Sequence, residues 1–335
     1  RYNDKHIGVY MKNWNYLKNT SQNASKSAIK NDKNHRPPFK WAGAKNRMFA
    51  RYAASGFFTN QDPKLFVDMF AGTGAVGWWV AKNYPNTTVV LNETCDELIN
   101  MYRMMQRNTF ASFEQEYQKH VAAYASYQFP EDRKKHYYAL RDRYALNYQT
   151  MNPIEQAAAL FYMLQTGFNG IWQTSDNFNN RYASPAGLMT WKPHGDLFNS
   201  NRIKKYAEFI DKCVLVSGDF EKTQCFMNSN SWFYADPPYR LSKAKYASAG
   251  EFGDYDQVRL CDFLKAAHSC GDLAVMSNRE NPDVDDQEGL SGSVQNGWFA
   301  DKFNDDWNVK YYRVKYTAGR HNKGQLGTEV LIKNY

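Results

Sequence analysis

Asp236-Pro237-Pro238-Tyr239 follows directly on the apolar run Trp232-Phe233-Tyr234-Ala235, where a buried strand would end. Ligands of open α/β sheets bind outside the carboxyl ends of strands. Two consecutive prolines have fixed φ angles and no N–H, so the carbonyls there are held stiffly and stay available as acceptors. A carboxylate beside a rigid carbonyl makes a two-acceptor grip for an –NH2 group. The Tyr239 ring adds a flat face on which a planar base can stack. Asp236, Pro237, Pro238 and Tyr239 together read as a device for holding an exocyclic amino group. An ordinary proline turn is the competing reading.

A second constellation lies upstream in Phe66-Val67-Asp68-Met69-Phe70-Ala71-Gly72-Thr73-Gly74. Glycines between a strand and a helix let a ligand approach the backbone closely. The turn is read as a bare Gly-x-Gly pair, and the G-K-[ST] of a phosphate-binding loop is missing. Phosphate binding is therefore disfavoured. Glu93, at the end of the next apolar run, suits a ribose diol. Together the two constellations outline a site for a ribose-bearing cofactor beside an amino-group grip. S-adenosylmethionine and a nucleobase fit that outline.

The elements that must position these residues read as an α/β sheet. Strands are expected over 65–70, 87–91, 213–216, 232–235 and 273–276, with an alternating antiparallel pair over 309–316 and 329–332. Helices are expected over 46–54, 75–83, 96–107 and 254–269. Residues 110–210 change character and read as a helical insertion on the sheet's edge, with helices over 113–126, 130–147, 152–166 and 200–211. The expected organisation is a flexible basic arm at 1–36 and a catalytic domain in two parts, 37–109 and 212–335. A helical target-recognition domain at 110–211 lies between them.

Charge supports a polyanionic partner. The 335 residues carry a net charge of +8. Residues 1–51 hold twelve Lys and Arg against Asp4 and Asp32 alone, leaving thirty basic and thirty-two acidic residues elsewhere. A basic arm on a near-neutral body suits nucleic acid, although a solubilising tail has the same composition. The arm's acid-poor, Lys- and Ser-rich composition also resembles a transit peptide, but Arg is sparse. The chain opens on Arg1, which is consistent with residues preceding it. The five cysteines are scattered without a C-x-x-C, which fits a reducing compartment and excludes a disulfide scaffold or zinc ribbon. No Pro-Cys pair offers the nucleophile of a cytosine-C5 enzyme. The histidines show no metal-ligand spacing, and no apolar run is long enough for a membrane span. The expectation is no metal, no membrane and a cytoplasmic location in a bacterial or phage-infected cell.

With these residues in view, the chain resembles the DNA adenine-N6 methyltransferases of the Dam type, in the alpha order of motifs. Phe39-Lys40-Trp41-Ala42-Gly43-Ala44-Lys45 is similar to the family's N-terminal element, with Ala44 where Gly is usual. Phe66 to Gly74 resembles its cofactor loop, and Leu91-Asn92-Glu93 its acidic ribose position. Phe168-Asn169-Gly170-Ile171 is similar to the stretch before its recognition hairpin. Gly218-Asp219-Phe220 resembles the position beside the cofactor adenine. Asp236-Pro237-Pro238-Tyr239 matches its catalytic tetrapeptide unaltered. Ser277-Asn278 and 319–331 resemble its closing segments. The likeness covers about 37–335.

The resemblance implies a Rossmann-like methyltransferase sheet, mostly parallel with an antiparallel terminal strand. It implies site-specific transfer of a methyl group from S-adenosylmethionine to a flipped-out adenine in double-stranded DNA, leaving S-adenosylhomocysteine. Cytosine-N4 transfer and a catalytically silent DNA-binding relative are the alternatives. Trp41, Lys45, Glu93 and Asp236 would line the cofactor site. Asp68, Phe70, Gly72 and Gly74 would hold the methionine end, and Asp219 with Phe220 the adenine ring. Asp236 and the Pro237 carbonyl would accept the two N6–H bonds. Lys40 would touch DNA. In the loop over 167–197, Asn169, Gln173 and Arg181 are candidate base readers, because Asn and Gln pair with adenine and Arg with guanine. Arg320 and Lys323 would meet the DNA backbone. The chain carries Trp172-Gln173-Thr174-Ser175 where GATC readers carry a C-R-Y-N-like run. No target sequence or partner nuclease follows from these residues.

Overall fold

Alternation along the central strands decides what each layer of the molecule contains. A computed structural model of the chain describes residues 36–43, 45, 48–49, 52, 56–189, 198–240, 252–279, 297–303, 306–315 and 326–335. Strands β1 (Leu65–Asp68), β2 (Thr88–Glu93), β3 (Val214–Ser217), β4 (Ser231–Ala235), β5 (Leu273–Arg279), β6 (Asn308–Lys315) and β7 (Leu326–Lys333) form one sheet in the order β3-β2-β1-β4-β5-β7-β6. The first five are parallel to one another, and β7 runs antiparallel between β5 and β6. Phe66, Leu91, Trp232 and Tyr234 point to one face and its core; Val67, Val90, Phe233 and Ala235 point to the other. This period of two is what a sheet covered on both faces requires.

Helix α1 (Ala75–Asn83) follows the glycine turn, and α2 (Asp96–Met104) follows β2. Then come α3 (Arg107–Ser126), α4 (Pro130–Asn147), α5 (Pro153–Thr166) and α6 (Ser200–Asp211). Helix α7 (Asp254–Ser269) covers the opposite face through Leu260, Cys261, Phe263 and Leu264. Helix α5 starts with a capping box in which Asn152 and Glu155 satisfy each other's orphan donors, with Pro153 at the first helical position. Its residues from Ala157 to Thr166 are all buried, and it packs against α2, α3 and α4. The helices of the 110–211 stretch pack on α2 and on one another. Phe113, Tyr117, Tyr137 and Phe161 belong to the same buried cluster as Phe66, Leu91 and Trp232.

The structure departs from the sequence reading at several boundaries and in one motif. β1 stops at Asp68, two residues early, because the chain turns at Met69-Phe70 toward the glycines. The helix expected over 96–107 is two helices, broken at Gln106, whose ψ of 158° is extended; the Asp211 carboxylate then accepts from the Arg107 amide at 2.8 Å. The glycine turn is not a bare Gly-x-Gly, since Gly77 extends it to G-x-G-x-x-G. A Cβ at Gly77 would lie 2.9 Å from both Leu91 and Val89, so this glycine serves close packing of α1 on β2. The helix expected over 46–54 falls mostly outside the described residues. So do 1–35 of the arm, Arg320 and Lys323.

Candidate active site

The glycine turn is held at both its donors and its acceptors. Gly72 and Gly74 have φ of +48° and +62°, the left-handed region that favours glycine. The Gly72 amide donates to Glu93 Oε2 at 3.0 Å. The other Glu93 oxygen accepts from the Thr94 amide at 2.9 Å and the Cys95 amide at 3.2 Å. Tyr102 of α2 donates to the Gly72 carbonyl, and Tyr206 of α6 donates to the Thr73 carbonyl at 2.7 Å. Asn92 ties two strand ends together, donating to the carbonyls of Met69 at 2.9 Å and Gly218 at 3.1 Å. Two tyrosines and an asparagine that the sequence reading did not single out thus fix the turn.

Asp68 lies beneath this turn and is 1% exposed. Its carboxylate accepts from the Phe70 and Gly77 amides, yet among the described residues Oδ1 has no partner. Burial, then the charges of Asp236 and Glu93, push its pKa well above the usual carboxylate range. Burial raises Glu93 and Asp236 as well, each opposed by its own hydrogen bonds. Three carboxyl groups thus converge where β1, β2 and β4 end. That field favours a cationic ligand, and the orphan oxygen of Asp68 offers it an acceptor.

The tetrapeptide stands at the end of β4. Lys45 Nζ sits 2.8 Å from Asp236 Oδ1, and Ser277 of β5 donates to the same oxygen at 2.9 Å. Among the described residues no donor reaches Asp236 Oδ2 or the Pro237 carbonyl. Lys45 also donates to the Tyr239 hydroxyl at 2.7 Å. Burial alone lowers the Lys45 pKa, but the Asp236 charge reverses the sign and keeps the ammonium protonated. Gln257 of α7 donates to the Pro238 carbonyl at 2.8 Å and accepts from Asn278 at 3.0 Å. Asn278 in turn accepts from the Arg240 amide at 3.2 Å. The prolines are therefore clamped from both sides. Ser277-Asn278 was visible as a motif; Gln257 gave no signal.

Trp41 reaches the same place from the amino-terminal segment. A Cβ on Gly72 would lie 3.0 Å from its Nε1, so the indole rests on the turn. The segment is docked by Ala42 donating to the Gly170 carbonyl at 2.9 Å and Lys40 to the Leu164 carbonyl at 3.3 Å. Trp172 is buried between Trp41 and Tyr182, with ring centroids 5.6 and 5.0 Å away. It serves packing, not the surface.

The remaining site candidates fall in three places. Asp219 caps the short helix Phe220–Phe226 and pairs with Arg259 at 3.0 Å, so its carboxylate is already engaged. Phe220 is buried, with Phe70 5.7 Å away. Lys40 is exposed, and its Nζ donates to the Gly167 carbonyl at 3.2 Å. Asn169 and Gln173 are exposed on the loop, Asn169 with φ of +53°. Arg181 is not extended into solvent; it pairs with Glu97 at 2.7 Å.

An open, mostly parallel sheet with a buried carboxylate cluster at its strand ends and Asp236-Pro237-Pro238-Tyr239 after β4 is consistent with a methyltransferase fold. The family model for D12 class N6 adenine-specific DNA methyltransferases matches residues 41–297, and the chain belongs to that family. It is 27% identical over 317 residues to the Type II methyltransferase M1.LlaDCHI of Lactococcus lactis subsp. cremoris, covering 91% of this chain and 98% of that protein. It is 24% identical over 317 residues to the Type II methyltransferase M.MjaIII of Methanocaldococcus jannaschii, covering 90% and 99%. The DNA adenine methylase of Haemophilus influenzae is 26% identical over 257 residues, covering 75% and 82%. The protein is thus an adenine-specific DNA methyltransferase, of a family in which S-adenosylmethionine is generally the methyl donor. The orphan Asp68 oxygen and the acidic field suit a ligand that carries both an ammonium and a sulfonium. No helix among the described residues is long and apolar enough to cross a membrane.

Proposed function

We propose that the two oxygens of Asp236 have separate tasks. Oδ1 is held by Lys45 and Ser277, and Oδ2 together with the Pro237 carbonyl accepts the two N6–H bonds of an adenine. The observation that carries this is the concentration of both protein donors on Oδ1. Adenine N6 is a poor nucleophile, because its lone pair is delocalised into the ring. Acceptors that draw the two N6–H bonds out of the ring plane favour a pyramidal nitrogen, with the lone pair free to react. Bound S-adenosylmethionine supplies a sulfonium methyl group with a good leaving group. The protein's part is to orient N6 and to match the charge that develops there.

The cofactor is held, in this reading, by Trp41 over the turn and by Asp68, Phe70, Gly72 and Gly74 at its amino-acid end. Glu93 serves the ribose through Oε2, since Oε1 already accepts three hydrogen bonds. Asp219 and Phe220 border the adenine. The target base leaves a double helix to reach Asp236, at a cost of a few kcal/mol. Stacking on Tyr239 returns about 1–3 kcal/mol. Residues 110–211 form the target-recognition domain, with Asn169 and Gln173 at the DNA, Lys40 nearby, and Arg320, Lys323 and the arm on phosphates. Residues 37–109 and 212–335 form the catalytic domain. The chemistry requires no metal. The enzyme works with its DNA in the cytoplasm of a bacterial or phage-infected cell. Relatives named as Type II methyltransferases support modification of a fixed site within a restriction–modification setting.

The test is transfer of a tritiated methyl group to unmethylated double-stranded DNA, with the product identified after hydrolysis. N6-methyladenine is expected from the unaltered enzyme. Asp236→Ala is expected to abolish transfer while cofactor binding is weakened but detectable. Full activity in that variant refutes the role.

A further inference from the structure

Arg181 has the side chain of a guanine reader, but the structure uses it inside the protein. Its Nη1 donates to Glu97 Oε1 at 2.7 Å, and its guanidinium covers the Tyr148 ring 3.9 Å from the centroid. The Glu97 side chain is 8% exposed and that of Arg181 28%. The loop around Arg181 is fastened to α4 as well: Asn179 donates to the Ala145 carbonyl at 3.2 Å, and Arg141 covers the Phe178 ring at 4.7 Å.

Glu97 lies in the first turn of α2, four residues past Glu93. Glu93 grips the Gly72 amide with one oxygen and the Thr94 and Cys95 amides with the other. The run 93–97 therefore has the cofactor turn at one end and the 175–181 loop at the other. Moving Arg181 onto a base would strand a largely buried carboxylate without its cation, which is strongly unfavourable. Burial already pushes the Glu97 pKa up, and Arg181 is what opposes that rise.

We propose that the Glu97–Arg181 ion pair is a clasp that positions the recognition loop relative to the cofactor turn, so that Arg181 aims the loop and does not itself read a base. The clasp rests on the reading of residues 167–197 as the recognition loop. It makes Arg181 and Glu97 positioning residues for both substrates.

The test is a double-mutant cycle of Glu97→Gln, Arg181→Gln and the pair together. It is read by KM for DNA, kcat, cofactor Kd and the motif methylated in sequenced DNA. Thermal melts check that each variant is folded, and Gln keeps the bulk of Glu97. Each single variant is expected to raise KM for DNA about tenfold and weaken cofactor binding severalfold, in the range of coupled sites. The methylated motif stays the same. The double variant is expected to be no worse than either single one, because the pair acts as a unit. Losses that multiply overturn the clasp. So does relaxation of one base position by Arg181→Gln when Glu97→Gln leaves the motif intact, which makes Arg181 a base reader. Asn169→Ala and Gln173→Ala serve as the separate control. If neither changes the motif or KM for DNA, the recognition-loop reading fails, while non-additive cofactor binding still reports the clasp.

Discussion

The ammonium of Lys45 lies 2.8 Å from Oδ1 of Asp236 and 2.7 Å from the hydroxyl of Tyr239. One cation from the amino-terminal segment thus sets both the ionisation of the acceptor and the position of the stacking ring. Lys45, expected to line the cofactor site, is thus also bound to two residues of the tetrapeptide.

This pairing sets the pH dependence. Burial raises the Asp236 pKa, and Lys45 and Ser277 oppose the rise. The carboxylate form accepts N6–H, so the rate falls as pH drops through a pKa above the usual carboxylate range. Lys45→Met removes the opposing charge, so the acid limb of the pH–rate profile moves to higher pH. Single-turnover methylation across the acidic and neutral range checks this, and an unmoved limb refutes the pairing's role.

Asp68 trades stability for binding. Its pKa is raised in the folded state, so ionisation favours the unfolded chain. The penalty appears as pH rises above about 4, where the unfolded carboxyl ionises, and reaches its full size above the folded pKa. Asp68→Asn removes the penalty but also removes the anionic acceptor. At neutral pH the free enzyme's Tm is expected to hold or rise. Cofactor Kd is expected to rise roughly ten- to hundredfold, the loss of one charge-assisted hydrogen bond. Titration calorimetry and thermal melts read the two effects separately. A lower Tm with unchanged Kd contradicts both.

At Gly72 the backbone φ is +48°, and a Cβ would crowd the Trp41 indole at 3.0 Å. Gly72→Ala is expected to cost about 1–2 kcal/mol of stability from left-handed strain. It should also displace Trp41 and weaken cofactor binding. Quenching of tryptophan fluorescence by added cofactor, beside a denaturant melt, measures both.

The basic arm acts at longer range. Deleting residues 1–36 is expected to weaken DNA binding to all sequences alike and to flatten its dependence on salt, as loss of phosphate contacts does. Binding titrations at several salt concentrations decide this. An unchanged slope reduces the arm to a linker.

Much of this architecture was legible in the residues. The helices over 75–83 and 254–269 match residue for residue, because each has its own apolar period and a glycine in front. The strands were legible as short apolar runs leading into turns. What stayed hidden depends on partners far along the chain. Tyr206 donates to a carbonyl 133 residues away, and nothing in its helix distinguishes it from core tyrosines. Gln257 meets Pro238 only because α7 lies over β5. Arg181 shows the limit from the other side. Its chemistry suits a guanine and a buried glutamate equally, and the Glu97 pairing shows only in the packing of α2 beside the loop.

The seam between β1 and β4 brings Leu65 beside Ser231 and Asp68 beside Tyr234. Half of the candidate site is therefore synthesised long before the other half exists. A ribosome must release well over a hundred further residues before the middle of the sheet can close, and such distant pairings form slowly. The nascent chain consequently has no means of marking DNA until its carboxyl-terminal half has emerged and docked, so the timing of activity is written into the order of the strands.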